Sequence, residues 1–423
     1  MSGNNIYTPE GFQDILFEEC RVKRDMESKL RHVFAARGYR ELETPALEFA
    51  DVFCKDGQTQ TYKEMFQMID KSGMALALRP DITACIARVA ATKLKEKHWP
   101  VKCAYIGNLF RFHEAGLGKL REFTQAGVEI IGVPNPEADA EVIATAIDCS
   151  FAAGLQTFQI ELGQVGFFKG IMEQAQLSVN EAEEIRRLID SKDLIGLERT
   201  LESSKMCGDV KDLILKMPGW FGSTDVIVHA KKVISNEKAG KALENLEQIV
   251  AILNDYGYAQ YITVDLGAVQ NLEYYTGLIF RGFTYGIGYS YLGGGRYDNL
   301  LGQFGAAAPA TGFALGINML MHVIYRQKIE TVAPSVRILV SYMPQYRAKA
   351  FALAKSLRET GLHVEMDISH IGDETAQIQH AKNENIAHVL FVEKEDSCRI
   401  WKAQDEKTHV CKWDEVENIL NEA

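Results

Sequence analysis

Positive charge is in short supply in this 423-residue chain. There are 46 lysines and arginines against 57 aspartates and glutamates, a formal net charge of −11. That balance lacks the basic footprint that phosphate backbones select, so no nucleic-acid partner is expected. No apolar run approaches the roughly 20 residues that span a bilayer. The first twenty residues have no basic start leading into an apolar stretch, so neither a membrane segment nor a secretory leader is expected. The eight cysteines (Cys20, Cys54, Cys85, Cys103, Cys149, Cys207, Cys398, Cys411) contain no Cys-x-x-Cys pair, and none stands at zinc-ligand spacing with a histidine. They read as isolated, reduced thiols of a cytoplasmic protein, filling core positions, and no metal site is expected. Repeats of fixed period and low-complexity tracts are missing too, which removes solenoids and disordered linkers. No cofactor is expected.

What remains is an ordinary globular composition, 47% hydrophobic and 24% charged, long enough for two or three domains. Val22, Met26, Leu30, Val33 and Phe34 recur at helical spacing and predict a helix over Cys20–Arg37, stopped by Gly38. Tyr39–Thr44 alternates as a strand. Met65–Asp70 and Ala75–Leu78 flank Lys71-Ser72-Gly73, a hairpin signal. Helices are predicted over Asp81–Lys95 and Glu137–Ala153, and strands over Val101–Phe110, Thr124–Ile131 and Phe158–Leu162. From about 170 to 253 the pattern is almost wholly helical and reads as an insertion. Strands resume at Tyr261–Leu266, Leu278–Phe283 and Gly288–Leu292, followed by Gly293–Gly295 as turn glycines and a helix over 316–327. The expected domains are 1–328 and 336–423, joined by a linker at Ile329–Ser335. The second alternates strand and helix, as a small α/β domain with parallel pairing does.

Four segments carry chemistry. They are FAARGYRELETPALEF (Phe34–Phe49), LRPDITACIAR (Leu78–Arg88), FRFHEAGLGKLREFTQAGVEIIG (Phe110–Gly132), and Val264–Leu300 with its LEYYTG and GGGRYDNL. In order and spacing they resemble the class II aminoacyl-tRNA synthetase core, specifically the histidyl enzyme, over about Pro9 to Tyr325. The tail is similar to that family's anticodon-binding domain. The resemblance implies an α+β fold: an antiparallel sheet with flanking helices and a helical insertion, plus the C-terminal α/β domain. It implies a histidine pocket at Asp81, Thr83, Gln125, Glu129, Tyr274 and Tyr275, with Arg111 at the place that holds an ATP α-phosphate. Acceptors suit an ammonium group, and tyrosines stack on or hydrogen-bond to imidazole.

The departures decide the function. Where the family has an arginine before its Gly-Leu-Asp-Tyr-Tyr stretch, this chain has Gln270, then Asn271-Leu272-Glu273. The family's third motif ends Gly-x-Glu-Arg; here Gly316-Ile317-Asn318-Met319 stands instead. A glutamate of the second motif is His113, and Leu-Arg-Pro-Glu-Gly-Thr becomes Leu78-Arg79-Pro80-Asp81-Ile82-Thr83. Amino-acid activation builds negative charge on phosphorus oxygens, and each fixed donor there is worth roughly 3 kcal/mol. Gln270 and Met319 remove two. A chain that keeps a ligand grip and lacks the reacting cations is similar to the regulatory subunits of ATP phosphoribosyltransferase. That resemblance implies a non-catalytic role in the first step of histidine biosynthesis, linked to histidine feedback. It also implies a short-form catalytic partner, histidine as ligand and self-association as a dimer. The other readings are a divergent histidyl-tRNA synthetase and a paralogue that activates another amino acid.

Plainer roles stand beside these. Strand alternation would bury only one of Tyr274 and Tyr275. Ala126, Val128 and Ile130 would face the core, which points Gln125 and Glu129 into a cleft. Arg111 could simply pair with a carboxylate, and His113 could be a loop histidine. Arg296 and Asp298 read as a structural ion pair. The tail carries 11 basic and 15 acidic residues, net −4, which argues against anticodon binding.

Overall fold

The computed structural model describes residues 6–54, 64–96, 100–112, 120–204, 206, 208–268, 274–329, 337–368 and 373–421. The chain divides into two compact units, Met1–Glu330 and Thr331–Ala423.

The strands of the first unit are β1 (Arg40–Glu41), β2 (Leu47–Phe49), β3 (Gln67–Ile69), β4 (Ala75–Leu78), β5 (Val101–Phe110), β6 (Glu122–Ile131), β7 (Phe158–Gln164), β8 (Phe221–Gly222), β9 (Ile262–Asp265), β10 (Leu278–Thr284), β11 (Leu292–Arg296) and β12 (Ala310–Gly316). Nine form one sheet in the order β1-β5-β6-β12-β11-β10-β7-β9-β8, and β2-β4-β3 form a small second one. The six central strands, β5 to β7 in sheet order, are antiparallel throughout.

Side chains alternate across this sheet, and its two faces differ in kind. On one face Ala126, Val128, Ile130, Phe280, Phe313, Leu315, Ile160 and Leu162 join the main core. The helices Phe17–Ala36, Pro136–Ala152, Glu237–Asp255 and Ile317–Gln327 pack there through Leu30, Ile143, Leu246 and Leu320. Emptying one such site, as Ile143→Ala would, costs about 2–5 kcal/mol. The opposite face carries Gln125, Gly127 and Glu129 on β6, opposed by Gly107, Tyr105 and Cys103 on β5 and by Gly316, Ala314 and Gly312 on β12. Small residues make room on that face, and the Arg79, Tyr105 and Glu129 side chains lie over Gly107, Gly127 and Gly312.

The predicted hairpin forms: β3 and β4 pair antiparallel, and Asp70 Oδ1 accepts from the Ser72 and Met74 amides at 2.8 Å each. Gly73 there has φ +80°, the left-handed backbone that glycine accommodates. The predicted strand over Tyr39–Thr44 shrinks to Arg40–Glu41. The Thr44 carbonyl and hydroxyl turn aside to accept from the Arg79 guanidinium. Gly293–Gly295 are strand residues of β11 rather than a turn, and 288–291 lie outside any strand. A Cβ on Gly294 would stand 2.4 Å from the Gly312 carbonyl oxygen, so close strand packing is what calls for glycine. Between Val165 and Asp255 six α-helices follow one another among the described residues, with the 3-10 turn Met217–Gly219 and β8 between the fourth and fifth. The linker predicted at Ile329–Ser335 lies, beyond its first residue, outside the described residues.

In the second unit β13 (Arg337–Tyr342), β14 (His363–Met366) and β15 (His388–Val392) are parallel, joined by the helices Arg347–Glu359 and Glu374–Asn383. Beyond the predicted elements the sheet continues with β16 (Ser397–Lys402) and β17 (Lys407–Lys412). Both are antiparallel, giving the order β14-β13-β15-β16-β17.

Candidate functional site: a buried carboxyl in a glycine-floored cleft

Glu129 is the centre of the polar face. Its side chain is 1% exposed, and the strand opposite makes that possible. A Cβ on Gly312 would lie 1.6 Å from Glu129 Oε2, so only glycine there leaves the carboxyl its place. Thr83 Oγ1 donates to Glu129 Oε1 at 2.8 Å, and the Tyr297 hydroxyl donates to Oε2. Burial pushes the carboxyl up to about 8; the Tyr297 and Thr83 hydroxyls pull against that, and nearby Asp81 adds to the rise. At neutral pH this carboxyl holds its proton.

Thr83 is delivered by the helix Thr83–Thr92, whose Ile82 and Ile86 pack against Tyr105, Leu109 and Tyr297. Asp81 sits at its start: Oδ1 accepts from the Thr83 amide at 3.2 Å and Oδ2 from the Ala84 amide at 3.1 Å. Its first task is therefore to satisfy helix-terminal donors. One helical start thus fixes two of the expected residues, and both bear on Glu129, one through a hydrogen bond and one through its charge.

Gln125 stands two alternations from Glu129 on the same strand, with Gly107 and Gly316 opposite. Its Oε1 is buried and accepts no hydrogen bond among the described residues. An unmet acceptor in such a place costs stability, and a donor on a ligand would meet it. Tyr274 and Tyr275 meet edge to face at 5.0 Å, and Tyr274 lies 5.4 Å from the Tyr297 ring. Both are partly buried, and neither lies in a strand, so the alternation expected to separate them does not apply. Burial holds the Tyr274 and Tyr297 hydroxyls well above the ordinary phenol range, so both are neutral donors.

Arg111 follows β5. Its Nε donates to the Pro80 carbonyl at 2.8 Å and its guanidinium lies 5.5 Å from the Phe123 ring. The carboxylate pair that the sequence allowed is not found for it among the described residues. Met319 belongs to the helix after β12 and packs partly against the main core. Its Cβ is 3.3 Å from where a Cβ on Gly316 would be, at the Gln125 end of the floor. The neighbouring Asn318 Oδ1 accepts from the Thr124 amide at 2.8 Å. Gln270 and His113 lie outside the described residues.

Other arginines near the floor are engaged. Arg79 donates to the carbonyls of Asn108 and Thr44, and Arg281 pairs with Glu161 at 2.5 Å. Arg296 does pair with Asp298 at 3.2 Å, but it also meets buried Asp139 at 3.0 Å and the carbonyls of Val133 and Asn135. It ties the start of the helix Pro136–Ala152 to the sheet. No three His, Cys, Asp or Glu side chains among the described residues come together to hold a metal ion. Tyr297 and Gly312 are the members of this site that sequence reading missed. Tyr297 was in view within GGGRYDNL, but its role depends on a cross-sheet contact that spacing does not reveal.

An antiparallel sheet with one helix-covered face, and polar side chains gathered on the other, is the core of a class II aminoacyl-tRNA synthetase. The family model described as Histidyl-tRNA synthetase matches residues 11–320. The chain is 52% identical over 395 residues to the ATP phosphoribosyltransferase regulatory subunit of Acetivibrio thermocellus, covering 93% of this chain and 94% of that one. It is 42% identical over 421 residues to the subunit of the same name from Ruminiclostridium cellulolyticum, covering 100% of both. A solved structure from Bacillus halodurans C, described as an ATP phosphoribosyltransferase regulatory subunit/histidyl-tRNA synthetase, superposes with TM-score 0.83 at 29% identity, covering 93% of this chain and all of that one. The histidyl-tRNA synthetase of Nostoc sp. shares the fold at TM-score 0.84 and 21% identity. This chain belongs to the ATP phosphoribosyltransferase regulatory subunit family, a branch with the histidyl-tRNA synthetase fold.

Proposed function

We propose that this chain is the non-catalytic regulatory subunit of an ATP phosphoribosyltransferase, required for the first step of histidine biosynthesis and responsive to histidine. Its partner is a short-form catalytic subunit, and its building block is a homodimer. The ligand cleft is the one floored by Gly107, Gly127, Gly312 and Gly316. Asp81, Thr83, Gln125, Glu129, Tyr274 and Tyr275 receive histidine there, Tyr297 holds Glu129 in place, and Arg111 offers a cation at the mouth.

The observation that carries this reading is the contrast within the cleft. Two hydroxyls converge on a buried carboxyl, while position 319, next to Gly316 in space, is a methionine. Adenylation needs fixed positive charge where charge develops on phosphorus, and each missing donor costs about a hundredfold or more in rate. A neutral side chain at 319 and the amide of Gln270 leave that charge unbalanced. The cleft therefore binds a ligand and does not activate it. Binding regulates a partner only through unequal affinity for two states of the assembly. The test is gel filtration of the purified chain with a short-form catalytic subunit, with and without histidine. Co-elution whose stability changes with histidine supports the proposal, and separate elution under both conditions refutes it.

A further inference from the structure

The sequence shows eight scattered cysteines, but the fold brings two of them together. Cys398 lies in β16 and Cys411 in β17, and the register sets them directly opposite each other. Their sulfurs are 3.1 Å apart. Both are buried, 2% and 4% exposed, in the core of the second unit beside Ile400, Val416 and Leu420. No other pair of sulfurs is in contact among the described cysteines.

We propose that Cys398 and Cys411 are a modification site, a cross-strand dithiol that small-molecule disulfides such as oxidised glutathione convert to an intramolecular disulfide. A disulfide bond is about 2.05 Å long, so the sulfurs need to approach by about 1 Å. The position of β17 permits this. It is the edge strand of its sheet, paired on one side only, and Lys407 to Val410 are exposed. Small turns of the two side chains, with a slight inward shift of that edge, close the gap.

The step balances as thiol–disulfide exchange. One cysteine thiolate attacks a sulfur of the oxidant, forming a mixed disulfide and releasing the first small thiolate. The second cysteine then attacks the protein sulfur of that mixed disulfide and releases the second. Two electrons and two protons leave the pair and appear on two small thiols. Burial raises both thiols above their ordinary range, and this makes the reduced pair slow to attack. Opening of the β17 edge therefore gates the rate. Once formed, the bond closes a short loop through the β16–β17 turn and restricts the unfolded chain. By chain entropy, it shifts the folding equilibrium of this unit on the order of a hundredfold.

The experiment uses the full chain, equilibrated at mildly alkaline pH with oxidised glutathione or with dithiothreitol. The expected result is a protein lighter by two hydrogens, with a non-reduced peptide map joining Cys398 to Cys411, reversed by dithiothreitol. Unfolding of the second unit moves to higher temperature in the oxidised wild type, and this shift is lost in Cys398→Ala/Cys411→Ala. The proposal is overturned if both thiols remain free to alkylation after unfolding while Cys20 or Cys54 has taken up glutathione. It is equally overturned if the cross-link found joins other cysteines.

Discussion

Glutamine at position 129 would isolate the titration of one carboxyl. Glu129→Gln keeps the shape and an acceptor for Thr83 or Tyr297 but cannot ionise. In the folded chain the Glu129 carboxyl is raised from 4.5 to about 8. Each unit is worth about 1.4 kcal/mol, so ionising it in the closed cleft costs on the order of 5 kcal/mol. The direction follows from proton counting. Below about pH 4.5 both folded and unfolded chains hold the proton, and the full contribution is present. As pH rises the unfolded chain loses the proton while the folded chain keeps it. Stability therefore falls by about 1.4 kcal/mol per pH unit until the folded carboxyl titrates near 8. Urea unfolding of wild type and Glu129→Gln, compared across this window, cancels every other group. The wild type is expected to lose stability relative to the variant steadily as pH rises. Parallel pH profiles would show that Glu129 does not titrate abnormally in the folded chain. The same proton governs ligand binding: a cationic group placed against Glu129 favours the carboxylate and expels the proton. Histidine affinity at that carboxyl is expected to rise up to tenfold per pH unit toward pH 8.

Gly312→Ala places a methyl group 1.6 Å from Glu129 Oε2 and 2.5 Å from the Val128 carbonyl oxygen; calorimetry should find histidine binding abolished and thermal unfolding shifted down. Asp139→Ala leaves Arg296 buried without its main carboxylate, which is expected to cost about 3–5 kcal/mol in chemical denaturation. Met319→Arg combined with Gln270→Arg restores cations at the two departures, and histidine-dependent ATP–pyrophosphate exchange is expected to rise above that of wild type, by up to about 3 kcal/mol of barrier per donor. No gain in exchange would place the cause of silence elsewhere.

Much of this was legible before the fold was known. Alternation at Ala126, Val128 and Ile130 fixed which face of β6 meets the core, and so put Gln125 and Glu129 on the other. Gly38 and Gly154 ended helices where expected, both with positive φ. What could not be read was long-range. Tyr297 and Gly312 serve Glu129 across strands that are far apart in sequence. Gly293–Gly295 looked like a turn because spacing does not distinguish a glycine that bends the chain from one that lets two strands approach. Thr44 left its strand because Arg79, a residue of another element, competes for its oxygens. The β16–β17 hairpin was missed because only Cys411 of β17 is buried, so this edge strand carries too little apolar alternation to announce itself.

The proposed role is that of a regulator with a ligand grip and no reaction of its own. It is met most directly by the turnover of a short-form ATP phosphoribosyltransferase at saturating ATP and phosphoribosyl pyrophosphate, with and without this chain. Turnover is expected to depend on the added chain and to fall when histidine is supplied. Equal turnover in its presence and absence would contradict it.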